Sequence, residues 1–68
     1  MRKRKENVGE VMRKFRKSIK MTQEKLADSV GVSPKYIQYI ETARRNPSLK
    51  TLYKIAKALK VRVKDLFS

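Results

Sequence analysis

Gln23-Glu24-Lys25-Leu26-Ala27-Asp28-Ser29-Val30-Gly31-Val32-Ser33-Pro34-Lys35-Tyr36-Ile37-Gln38-Tyr39-Ile40 is the stretch on which the fold turns. It reads as two short helices that cross steeply through a tight turn. Such a crossing needs a small residue where the helices approach, and a turn residue that tolerates positive φ. Ala27 meets the first need, and Gly31, four residues later, meets the second. Ile37 follows six residues after Gly31 and plugs the second helix into a core. The boundaries are written beside them. Thr22 is an N-cap for a helix over 23–29 whose buried side carries Leu26, Ala27 and Val30, and Gly31 ends it. Ser33 caps the next helix, and Pro34 occupies its first position, where a missing N–H costs nothing. That helix runs through Ile40 to about Thr42.

Upstream, Asn7-Val8-Gly9-Glu10 reads as a capping box, with Glu10 reaching back to the Asn7 amide. Val8, Met12, Phe15 and Ile19 recur at helical spacing, with Arg13, Lys14, Arg16 and Lys17 largely opposite, so a first helix extends to about Ile19. Downstream, residues 43–47 form a basic loop and Ser48 caps a fourth helix. Its inner face is Leu49, Leu52, Ile55, Ala56 and Leu59, with Lys50, Lys54 and Lys57 turned to solvent. Val61 to Val63 make a brief connection to a last helical turn over 63–67. The expected architecture is all-α, a compact five-helix domain over residues 7–68 preceded by a flexible basic arm over residues 1–6. Short linkers and the absence of repeats favour one domain.

The chain has 68 residues, with 19 Lys and Arg against 6 Asp and Glu, for a formal net charge of +13. Domains this short bury only about 60% of the surface exposed on unfolding, so a partner helps stability. No cysteine and no histidine are present, which removes disulfides, thiolate metal sites and the commonest general base. The acids are scattered singly, so an enzyme is the weakest reading, and no cofactor or metal is expected. No stretch is long enough to span a membrane and no signal peptide is evident, which implies the cytoplasm. A large positive excess costs self-repulsion and favours a polyanion as partner. Nucleic acid is the leading candidate, ahead of an anionic membrane or an acidic protein. The membrane reading suffers because Gly31, Pro34 and Pro47 break the chain into short helices suited to a bundle.

The segments 22–33, 36–41 (Tyr36-Ile37-Gln38-Tyr39-Ile40-Glu41), 45–49 (Arg45-Asn46-Pro47-Ser48-Leu49) and 55–59 together resemble the lambda-repressor/Cro-like (XRE) helix-turn-helix family. The resemblance spans about residues 8–67. It implies a five-helix domain that binds double-stranded DNA sequence-specifically, as a transcriptional repressor or autoregulator, usually as a homodimer on a pseudo-palindromic operator. Small stand-alone members resemble phage Cro-type proteins and controller proteins of restriction–modification systems. Three positions depart from the pattern. Lys20 and Ala43 stand where glycine often ends helices 1 and 3, so each adopts positive φ at some cost or its helix ends differently. Arg62 replaces the usual small N-cap before the final helix.

In such a domain the third helix is the recognition helix, its N-terminal residues facing base edges. With Ile37 and Ile40 pointing inward, the outward positions are Ser33, Lys35, Tyr36 and Tyr39, with Gln38 on the flank. The resemblance places base contacts at Ser33, Pro34, Lys35 and Tyr39. Lys35 can donate to guanine O6 and N7, and Gln38 can pair with adenine N6 and N7. Pro34 offers only apolar contact with a thymine methyl. For Tyr36 and Tyr39 the alternative is packing against helix 2 or a phosphate. Phosphate contacts are expected from Thr22 and Gln23 at a helix N-terminus, and from Arg44, Arg45, Asn46 and Ser48 around the basic loop. Arg13 and Lys17 are further candidates on helix 1, although Arg13 pairing internally with Glu41 is an equally good account. The basic arm either reaches a minor groove or is a solubilising tail. If all these contacts form, about six phosphates per subunit are neutralised and affinity falls steeply with salt.

Tyr53, Val61, Val63, Leu66 and Phe67 exceed what one side of a small domain needs. They serve either a homodimer interface or the monomer's own core. A dimer places two recognition helices about 34 Å apart in successive major grooves. No small-molecule ligand is expected. The competing class is an antitoxin-like or coactivator-like module whose main partner is another protein.

Overall fold

Asn7 opens the first helix with both halves of the capping box in place. Its side-chain oxygen accepts from the Glu10 N–H at 2.9 Å, and its own N–H donates to Glu10 Oε1 at 3.3 Å. The computed structural model describes residues 7–67, so the basic arm at residues 1–6 lies outside the described residues. Four α-helices follow one another: α1 (Val8–Ser18), α2 (Gln23–Val30), α3 (Pro34–Glu41) and α4 (Leu49–Leu59). A 3-10 helix, Val63–Phe67, completes the chain where a fifth helix was expected. No strand occurs among the described residues. The remaining N-caps also follow the sequence. Thr22, Ser33 and Ser48 accept from the N–H groups of Lys25, Tyr36 and Thr51 at 3.0, 3.1 and 3.2 Å. Each such cap is worth about 1 kcal/mol. Arg62 has no capping side chain, and Asp65 acts from the other end, its Oδ2 accepting from the Arg62 N–H at 2.9 Å.

All four helices end through a left-handed residue: Lys20 (φ 58°), Gly31 (φ 86°), Ala43 (φ 64°) and Lys60 (φ 63°). Just beyond each, an N–H returns to a carbonyl five residues back: Met21 to Arg16 at 3.0 Å, Val32 to Ala27 at 3.0 Å, Arg44 to Tyr39 at 2.8 Å, and Val61 to Ala56 at 3.0 Å. These bonds satisfy the last carbonyls of each helix. The strain anticipated at Lys20 and Ala43 is therefore real, and Lys60 carries it too. A non-glycine residue in this region costs about 1–2 kcal/mol, partly offset by the larger unfolded-state entropy of glycine. Ala43→Gly is accordingly expected to raise stability by about 0.5–1 kcal/mol, read as a higher urea midpoint at unchanged m-value.

Met12, Leu26, Ile37, Ile40, Ile55, Leu59 and Leu66 form the fully buried centre. α2 packs on both α3 and α4, α1 packs on α3, and the 3-10 helix closes the bundle against α1 and α4. Two helices face the core differently from the sequence expectation. On α1 Gly9, Val11, Met12 and Arg16 are buried, Val8 and Phe15 pack partly buried against the core as expected, and Ile19 is 44% exposed. The cause is Gly9: a Cβ there would run into the Ile40 carbonyl oxygen, so the bare α1 backbone lies directly on the end of α3. That approach turns α1 toward its Gly9–Arg16 side. Ile19, the C-cap, lies past the last regular turn. On α4, Leu49 was expected to face inward but is 59% exposed. It is the first residue of the helix, and side chains lean toward a helix N-terminus, which carries Leu49 beyond the core.

Candidate nucleic-acid interface

One side of α3 is committed to the core through Ile37 and Ile40, with Glu41 buried at its end. The other presents Ser33, Pro34, Lys35 and Gln38, all exposed. Tyr36 and Tyr39 lie between these faces, both half-buried, and Tyr36 packs against the core cluster. Of the two alternatives left open for Tyr36, packing therefore accounts for much of its side chain. The Ser33 hydroxyl is engaged as a cap, and the Lys35 ammonium sits over the Tyr39 ring, 5.9 Å from its centroid. What the outer side of α3 offers is one cation, one carboxamide, one apolar ring and parts of two tyrosines.

The position of α3 is set by a buried polar cluster at its C-terminal end. Arg16 Nε donates to Glu41 Oε2 at 2.7 Å, and Nη2 donates to Oε1 at 3.1 Å. Arg16 Nη1 donates to the Met21 carbonyl at 2.7 Å, and Gln23 Nε2 donates to Glu41 Oε1 at 3.0 Å. Among the described residues, no buried side-chain N or O atom lacks a partner. The cluster joins α1, the following loop, the first turn of α2 and the last residue of α3. Glu41 therefore pairs with Arg16, not with Arg13 as the family resemblance suggested. Arg16, assigned to the outer face of α1, is instead buried. Two features of the sequence pointed this way. Arg16 follows Met12 by four residues, and Glu41 follows Ile37 by four, so both share a face with a core residue. A carboxylate on such a face requires a cation beside it.

Several of the residues considered for phosphate contact lie near this end of α3. Arg13 and Lys17 are exposed on α1 and line a shallow groove with Glu10 and Glu41. Thr22 caps α2, and Gln23 is half-buried with its amide turned toward Glu41. Arg44 and Arg45 are exposed on the turn after α3, and both of their N–H groups donate to the Tyr39 carbonyl, at 2.8 and 3.2 Å. Asn46 is exposed, and the Ser48 hydroxyl is occupied at the start of α4.

A second surface lies on α4 and the C-terminal segment. Tyr53, Val61 and Val63 line one groove together with Ala56, Lys57 and Arg62. Tyr53 is 61% exposed and Phe67 53%. Leu49, one turn before Tyr53, extends the same ridge. Leu66 is fully buried and belongs to the monomer's core, which removes it from any interface. Val61 and Val63 also pack, partly buried, against the core, so of the five apolar residues that the sequence grouped only Tyr53 and Phe67 stand exposed. No helix among the described residues is long and apolar enough to cross a membrane.

The helix-turn-helix family profile matches residues 12–66. An uncharacterized HTH-type transcriptional regulator of Archaeoglobus fulgidus is 46% identical over 56 residues, covering 82% of this chain and 80% of that protein. Among solved structures, the restriction–modification controller protein C.AhdI of Aeromonas hydrophila is similar with a TM-score of 0.85 at 33% identity, over 88% of this chain and 91% of that one. The P22 c2 repressor, solved with a synthetic operator, is similar with a TM-score of 0.87 at 32% identity, over 93% of this chain and 96% of that one. With the Ala27–Gly31–Ile37 frame between two helices packed on each other, these likenesses place the chain in the helix-turn-helix family, in its lambda-repressor/Cro-like branch.

Proposed function

We infer that this chain is a sequence-specific, double-stranded DNA-binding transcriptional regulator, and we propose that it acts as a homodimer on a pseudo-palindromic operator. The observation that carries this is the division of α3. Its inner face is locked by Ile37, Ile40 and the Arg16–Glu41 pair, while Ser33, Pro34, Lys35 and Gln38 stand exposed together on the other. A rigid helix with a polar, cationic N-terminal face suits major-groove readout. Lys35 is the principal base reader in this proposal, with Gln38 beside it. Arg13, Lys17, Gln23, Arg44 and Arg45 bracket α3 and fit the phosphate backbone, which fixes register without reading sequence. The exposed Tyr53 ridge and groove are the surface for the second subunit. No catalytic role is proposed, and the working compartment is the cytoplasm.

Selection of bound sequences from a random duplex pool, followed by gel shifts at several salt concentrations, tests this. An enriched inverted repeat is expected; salt-sensitive binding without enrichment would remove the operator reading. Lys35→Ala is expected to lose about 1–3 kcal/mol of discrimination at one or two base pairs. Arg45→Ala should weaken all duplexes alike and reduce the salt slope by about 1. The reverse pattern would overturn the division between reading and clamping residues. Sedimentation tests pairing separately, and a monomer mass at micromolar protein, with and without operator, would rule it out.

A further inference from the structure

Lys35 is an awkward base reader when taken alone. A lysine side chain is a flexible stem with much rotamer entropy to lose, and a swinging ammonium discriminates poorly between neighbouring acceptors. Lys35 also lies in the first turn of α3, where the helix dipole disfavours a cation. The structure supplies a counterweight one turn later. Side chains on a helix lean toward its N-terminus, which tilts the Tyr39 side chain back over the turn that bears Lys35. The Lys35 Nζ lies 5.9 Å from the centre of the Tyr39 ring, within the range at which an ammonium is attracted to a ring face.

Tyr39 is well placed to hold such a charge still. Its side chain is half-buried, whereas that of Lys35 is exposed. Its carbonyl accepts the N–H groups of Arg44 and Arg45 at 2.8 and 3.2 Å, which anchors the residue at the close of α3. We propose that Tyr39 is a specificity-determining positioning residue. Its ring face holds the Lys35 ammonium in one arrangement, so the two residues read DNA as a unit. This rests on the reading of Lys35 as a base contact. An ammonium lying over a ring keeps N–H groups directed away from it, and these remain available to guanine O6 and N7. The hydroxyl of Tyr39 has no part in this role.

Two measurements on the full chain test the pair. In the free protein, ring current should move the Lys35 side-chain CH2 protons upfield. Tyr39→Leu should abolish that shift and Tyr39→Phe should retain it. With the duplexes enriched by the wild-type protein, Tyr39→Leu should lower discrimination about two- to five-fold at the same base pairs that Lys35→Ala affects. Tyr39→Phe should restore it, and Lys35→Ala/Tyr39→Leu should be no worse there than Lys35→Ala. Losses at different base pairs that add in the double variant would make Tyr39 an independent reader and overturn the proposal. So would a Tyr39→Phe variant as defective as Tyr39→Leu, which would assign the effect to the hydroxyl. Unchanged base preference in Lys35→Ala would instead overturn the underlying reading, whatever the proton shifts show.

Discussion

Arg16→Met is expected to lose about 3–5 kcal/mol of stability, enough to unfold much of a domain this small at room temperature. The substitution keeps most of the side-chain volume, so lost packing contributes little. What it removes is every hydrogen bond that Arg16 makes to the two Glu41 oxygens and to the Met21 carbonyl. The Glu41 side chain, which is 2% exposed, keeps the amide of Gln23 as a hydrogen-bond partner among the described residues but loses its guanidinium. A buried charge stripped of its counter-ion carries a desolvation penalty that a surface pair never incurs, and exposed pairs are worth only about 0–1 kcal/mol. The companion variant Arg16→Met/Glu41→Leu removes the charge together with its partner. It should recover to within about 1 kcal/mol of the wild type, since apolar replacement of a whole buried pair is often neutral. Urea unfolding followed by far-UV circular dichroism reads both. A loss below about 1 kcal/mol in Arg16→Met would mean that the pair behaves as a surface pair and does not hold α3 in place.

Gly9→Ala separates local from tertiary reasoning by sign. On helix propensity alone, alanine in place of glycine inside α1 should stabilise by about 1 kcal/mol. In the folded chain the new methyl group would meet the Ile40 carbonyl oxygen, with the Glu41 Cα at 3.0 Å behind it. These are backbone atoms and cannot swing aside as a side chain would. α1 must then retreat from α3, which also strains the Arg16–Glu41 pair that spans the same junction. Overpacking of this kind commonly costs about 1–3 kcal/mol, occasionally more. A net loss of about 2–3 kcal/mol is expected, visible as a lower thermal midpoint. Any gain in stability would show that α1 does not lie on α3 as described. DNA affinity should fall with it at temperatures where both states are populated, because α3 takes its position from α1.

The helix starts and the turn between α2 and α3 were legible in the sequence, while the left-handed ends at Lys20 and Ala43 were one of two alternatives that the family pattern left open. Each is decided within about five residues, by a side chain that caps or by a backbone conformation that a neighbour imposes. Much of α3 was legible for a similar reason. Once Ile37 and Ile40 face the core, the helical repeat leaves Ser33, Lys35 and Gln38 outside. The 3.6-residue period was less reliable at the edges of each stripe. It placed Ile19 and Leu49 inside because it extends a face indefinitely, while a real helix runs out of core at its ends. Arg16 shares the face of Met12 by spacing, and only its charge argued for the outside.

The four N-caps and the Ala27–Gly31–Ile37 frame were enough to give an all-helical domain with a helix-turn-helix, and the charge balance pointed to a polyanion, because these are written in local chemistry and composition. The family came from the resemblance of residues 22–33, 36–41, 45–49 and 55–59. Which cation partners Glu41, how closely α1 lies on α3, and that Leu66 belongs to the core while Tyr53 stands outside it were decided by the tertiary structure. Arg16 and Glu41 are separated by 25 residues, and Gly9 meets Ile40 across a similar gap. A sequence records the candidates for such contacts. Only the rotation of one helix against another selects among them, since a turn of a fraction of the helical period exchanges one side chain for the next.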